Sequence, residues 1–100
     1  MPAYMIADLE VTDPSRFGEY RTAVSPMIAR FGGRYLIRGP ELEVKEGAPF
    51  FHRLVVLEFP SMDALRNFYD SPDYAPLLAL REACSTSRLV FAEGYAASAG

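Results

Sequence analysis

His52 stands beside Phe50 and Phe51 and is the one side chain here whose ordinary pKa lies near neutrality, which makes it the first candidate for a general base. Glu58 is the second proton-transfer candidate, because it interrupts the otherwise apolar run Leu54-Val55-Val56-Leu57-Glu58-Phe59. Asp8 interrupts Tyr4-Met5-Ile6-Ala7-Asp8-Leu9 in the same way, and Arg38 closes Tyr35-Leu36-Ile37-Arg38. A carboxylate and a guanidinium drawn from these three make either a buried ion pair that fixes strand register or an interface, or a ligand site. Arg38 also has the forked donors that clamp a carboxylate through two hydrogen bonds. Tyr20, Tyr69 and Tyr74 each combine an apolar ring with a polar tip, which suits a core edge or a pocket wall. The candidate catalytic residues are therefore His52 and Glu58, and the candidate ligand-binding residues are Tyr20, Arg38 and Tyr69.

Other chemistry is poorly supplied. The single cysteine, Cys84, forms no disulfide within the chain, and no base or helix N-terminus lies near it in sequence to activate the thiol. One His and one Cys do not make a zinc set, so no metal and no cofactor is expected. Arg81 has Asp70, Asp73 and Glu82 within reach as salt-bridge partners. The net charge is −3 with the basic residues spread along the chain, which leaves no electrostatic footprint for nucleic acid or an anionic membrane. The N-terminus lacks the pattern of a signal peptide and no apolar run approaches the ~20 residues of a membrane span, so a cytoplasmic location is expected.

These residues are positioned by a strand-helix-strand pattern written twice in 100 residues. The first copy runs from Ala3 to Val11, through a helix opened by the N-cap Asp13 and Pro14, to Arg34–Arg38. Phe17, Tyr20, Val24, Met27 or Ile28, and Phe31 give that helix an apolar stripe, Pro26 is expected to kink or loosen it, and Gly32-Gly33 to stop it. The second copy runs from Arg53–Phe59, through a short helix capped by Ser61, a turn at Ser71-Pro72 and a further helix near Pro76, to Arg88–Glu93. Two such units in one chain predict a ferredoxin-like βαββαβ sandwich, an α+β fold with an antiparallel sheet and the helices on one face. A single domain over 1–95 with a fraying tail at 96–100 follows.

Alternation along the strands carries the inference about assembly. Met5, Ala7 and Leu9 oppose Tyr4, Ile6 and Asp8, while Val55 and Leu57 oppose Leu54 and Val56, so both faces of the sheet are apolar. Helices cover one face, and a second copy of the chain is expected on the other. The ligand pocket is expected between the first helix and the sheet, bounded by Tyr20, Val24, Arg38, His52 and Tyr69. The connection from Gly39 to Phe51 is long enough to close over it or to serve as a dimer arm. An enzyme needs more room there than a few waters occupy.

The run Ala3 to Val11 before Asp13-Pro14, then Tyr20, Gly32-Gly33, Arg38-Gly39, Val55–Pro60, Tyr69-Asp70-Ser71-Pro72-Asp73-Tyr74, Leu80-Arg81 and Glu93-Gly94 resembles the family called domain of unknown function 1330. The resemblance extends from about Ala3 to Gly94. It departs at Arg38-Gly39-Pro40, where the family continues with a second glycine. It implies a dimeric α+β barrel, in a superfamily that includes cofactor-independent monooxygenases, muconolactone isomerases and heme-dependent relatives. The family itself has no assigned reaction, and a heme ligand is expected in the second helix region, where this chain has no histidine. Two readings follow: an enzyme without cofactor acting on a small, partly apolar carboxylated metabolite, or a non-catalytic ligand-binding or structural homodimer.

Overall fold

In the computed structural model, which describes residues 1–95, the elements follow the order β1 (Ala3–Val11), α1 (Pro14–Arg30), β2 (Arg34–Arg38), β3 (Leu54–Phe59), α2 (Met62–Tyr69), α3 (Ala75–Cys84) and β4 (Ser85–Glu93). The predicted tail at 96–100 lies outside the described residues. The sheet order is β2-β3-β1-β4 with every neighbouring pair antiparallel, which is the ferredoxin-like arrangement.

Local chemistry sets the helix ends. The Asp13 carboxylate accepts from the Arg16 N–H ahead of Pro14, and the Ser61 hydroxyl accepts from the Ala64 N–H. The C-terminus of α1 is a Schellman motif, in which the Gly33 N–H donates to the Ile28 carbonyl and the Gly32 N–H to that of Ala29. Gly32 takes φ of +84° there. Gly33 is needed for another reason: a Cβ would stand 2.7 Å from the Phe59 ring. α1 continues through Pro26 without a break. The buried stripe Val24, Met27 and Ile28 on either side of Pro26 holds the helix to the sheet where one backbone bond is missing.

The core lies between helices and sheet. Ala3, Met5, Ala7 and Leu9 of β1 and Leu57 and Phe59 of β3 face Phe17, Tyr20, Val24, Leu65, Phe68 and Tyr74. Phe68 packs against Phe31, Phe59 and Tyr74, so one ring ties α2 to α1, β3 and the start of α3.

The other face of the sheet carries no helix, and register turns its apolar residues into one row. Ile37 pairs with Val56, Val56 with Ile6, and Ile6 with Val90, so an aliphatic stripe crosses all four strands. Val90 is 58% exposed. Polar rows frame the stripe, Arg34, Glu58 and Tyr4 on one side and Asp8 and Arg88 on the other. From residue 39 to 53 the chain forms an arm without helix or strand, with Leu42, Val44 and Phe50 exposed.

Candidate functional site

A cavity of about 40 Å³ opens between α1 and the sheet, with Met5, Leu9, Val24 and Leu57 among its apolar walls. At ~10–15 Å³ per water, it has room for a few waters. Four arginines reach it, Arg21, Arg38, Arg53 and Arg81, and no carboxylate lines it.

Arg38 arrives there because of a β-bulge. Tyr35 pairs with Leu57, but Ile37 pairs with Val56 and Arg38 with Val55, so β2 shifts register around Leu36. Plain alternation from Arg34 would put Arg38 on the open face. The extra residue turns it to the helix side, where its guanidinium lies 4.5 Å from the Tyr35 ring centre. Arg53 sits similarly over Phe17, at 5.2 Å. Both guanidinium groups rest on aromatic faces and keep donors free.

Arg81 comes from the floor. It follows Tyr74 by seven residues along the buried side of α3, is only 4% exposed, and donates through Nη1 to the Ser87 hydroxyl. Its Nε–H is buried without a partner. The expected salt bridge to Asp70, Asp73 or Glu82 does not form: Asp73 pairs with Arg30 instead, at 2.8 Å. Beside Arg81 the Tyr20 and Tyr74 hydroxyls share a hydrogen bond of 2.9 Å. Burial, then the neighbouring Tyr74, push the Tyr20 hydroxyl far above its ordinary value, so Tyr20 stays neutral and serves as a donor or acceptor, not a base.

Outside the cavity most arginines among the described residues are paired, the exposed Arg16 being the exception. Among the described residues Arg30, Arg34, Arg66 and Arg88 each lie within 4 Å of a carboxylate, and none of the four cavity arginines does.

Three sequence-derived candidates, His52, Tyr69 and Glu58, lie elsewhere. His52 is on the opposite side of the sheet, where its backbone N–H donates to Asp8 Oδ1 at 2.7 Å and its ring Nδ1 lies 3.2 Å from Oδ2. Its Nε2 is 3.4 Å from Glu10. Burial alone would raise the Asp8 pKa, but hydrogen bonds from His52, Arg88 and the Arg53 N–H outweigh it and hold the carboxyl at about 2. Asp8 thus fastens the root of the arm to the sheet. Tyr69 packs on Tyr74 and Phe91 and does not line the cavity. Nor does the arm close over the cavity; it bounds its own open groove together with His52 and Leu54.

The expected grouping of Asp8, Arg38 and Glu58 is also corrected. Glu58 pairs with Arg34 at 2.8 Å on the open face, with side chains 22% and 69% exposed, while Arg38 faces the cavity. Tyr4, opposite Glu58, has its hydroxyl pKa raised by the hydrogen bond to that carboxylate. A pair this wet contributes little, so Glu58→Ala is expected to lower stability by about 1 kcal/mol or less in urea unfolding. A loss of about 3 kcal/mol would show instead that the assembled protein seals the pair from water.

Burial also raises the pKa of the Cys84 thiol, which fits the expected inert, core-packed cysteine. Among the described residues no group of His, Cys, Asp and Glu could hold a metal ion, and no helix is long and apolar enough to cross a membrane.

Arg81, Arg53 and Arg21 escaped the sequence reading. A signal existed for two of them: Arg81 lies on the apolar stripe of α3, and Arg21 follows Phe17 by one helical turn.

Comparison with known proteins places this geometry. A protein of unknown function from Rhodopseudomonas palustris superposes with a TM-score of 0.74 at 18% identity, covering 95% of this chain and 83% of its own. SnoaB, a cofactor-independent oxygenase from Streptomyces nogalater, gives 0.66 at 17% identity over 95% of this chain and 94% of its own. A dimeric ferredoxin-like protein of unknown function from Thermobifida fusca gives 0.64 at 23% over 92% and 90%. At these identities the likeness is one of fold. No curated protein matches the sequence. The sequence matches the family described as Domain of unknown function (DUF1330) over residues 2–95, nearly its whole length, and the chain belongs to that family.

Proposed function

We propose that this protein binds a small, partly apolar carboxylated metabolite in the cavity between α1 and the sheet, with the apolar body inside and the carboxylate at Arg38 and Arg53. The observation that carries this reading is the set of four cavity arginines without a carboxylate partner. Arg21 and Arg38 keep contact with solvent and Arg53 is half-buried, so they can meet an anion at the mouth, while only Arg81 is buried as an unpaired cation beside the apolar space. The few waters' worth of room favours a compact acid, and favours binding over turnover of a large substrate.

Calorimetric titration with pentanoate is the test. Arg38→Ala is expected to weaken binding about tenfold, the effect of one charge-assisted contact. Equal affinity in both proteins would remove Arg38 as the anchor.

A cofactor-independent enzyme is the second reading, and it requires the cavity to open beyond the few waters it holds here. SnoaB, an oxygenase of that kind, shares the fold, and the buried Arg81 can stabilise an anion formed from a substrate. Of the catalytic candidates, His52 and Glu58 would then have to act from the other side of the sheet.

The working unit we propose is a homodimer, closed over the stripe Ile37, Val56, Ile6 and Val90 by a second copy. The stripe and the exposed apolar residues of the arm support it, and the Thermobifida fusca neighbour is dimeric. The thinnest extent of the present chain, 16 Å, is that of one sheet and one helix layer, which leaves this face bare.

A further inference from the structure

The floor of the cavity asks for more than a simple acid. The Arg81 Nε–H is buried, lacks a partner and belongs to a side chain that lines the cavity. An unmade hydrogen bond on a buried charged group is costly, and a bound acceptor oxygen removes that cost. The tyrosine pair adds a second donor. Two hydroxyls carry two protons and their mutual bond uses one; with Tyr74 donating to Tyr20, the free proton is that of Tyr20, which lines the cavity. Apart from the Tyr20 and Tyr35 hydroxyls, the walls between floor and mouth are aliphatic and aromatic and offer Arg81 no carboxylate.

We infer that the ligand is a short oxo acid, whose carboxylate lies at Arg38 and Arg53 and whose second oxygen accepts from Arg81 Nε and Tyr20 at the floor. This rests on the reading of the cavity as an acid site and narrows it to a two-ended class. The Arg81 guanidinium then selects among acids, since one without the second oxygen leaves its Nε unpaired. A charged donor left unpaired favours the oxo acid by about tenfold to a hundredfold.

Paired calorimetric titrations with pentanoate and 4-oxopentanoate test this on the intact protein. The wild type is expected to bind 4-oxopentanoate at least about tenfold more tightly. Arg81→Lys keeps the charge and loses the Nε donor, so it should abolish the preference while pentanoate binding persists. Tyr20→Phe should reduce the preference, and it provides the readout if Arg81→Lys fails to fold. Equal binding of both acids by the wild type, with Arg38 still required, would overturn the oxo-acid inference and leave the acid site standing. Binding of neither acid would overturn both.

Discussion

Val56→Lys is expected to leave a chain that aggregates or no longer folds stably, while the wild type scatters light as twice its 11.1 kDa chain mass at low micromolar concentration. Val56 is the centre of the open-face stripe, with Ile37 on one side of it and Ile6 on the other. In a sheet-to-sheet dimer burying about 1,500 Å² or more, that position is shut away from water. A lysine there buries an unpaired ammonium at the point of closest packing, a cost of several kcal/mol before any contact is lost. The alternative is easily recognised: a wild type that runs as a clean monomer, or a Val56→Lys dimer as stable as the parent, would show that the stripe faces water.

The second large effect is expected at Asp8. Its carboxylate accepts from the His52 and Arg53 backbone N–H groups and meets the His52 ring and the Arg88 guanidinium. Asp8→Ala strands those donors at the root of the arm, and a loss of about 1–3 kcal/mol follows from two partly buried N–H groups without partners. The same residue sets an acid limb. Its folded pKa of about 2 lies below the ordinary 3.8, so its contribution is complete above pH 4 and is lost as pH falls toward 2. The shift corresponds to about 2 kcal/mol at most, since solvent reaches the His52 and Arg88 partners. Urea unfolding between pH 5 and pH 2.5 checks this. The wild type should lose more stability over that range than Asp8→Asn, and parallel curves would contradict the role given to Asp8.

The fold was legible because several local signals agree. Asp13-Pro14, Gly32-Gly33 and Ser61 mark helix ends by chemistry that operates within a few residues, and strand alternation showed a second apolar face. The site was legible only in part. Arg38 and Tyr20 do reach one cavity, but the face that Arg38 takes depends on the register shift around Leu36, and no glycine in Arg34–Arg38 announces it. His52 is drawn to the opposite face by Asp8, a residue 44 positions away. Arg81 is the sharpest case. An arginine with acidic residues close in sequence reads as a surface ion pair, whereas the helix turns it inward beneath Tyr20, and only the packed structure shows that its charge meets no carboxylate.

If the helix–sheet cavity is an acid site, a crystal structure of the protein soaked with pentanoate will show the acid's chain against Met5, Leu9 and Val24, with its carboxylate within hydrogen-bond reach of the Arg38 or Arg53 guanidinium. An empty cavity at saturating acid, or the acid bound only in the groove of the arm, would contradict the acid-site reading.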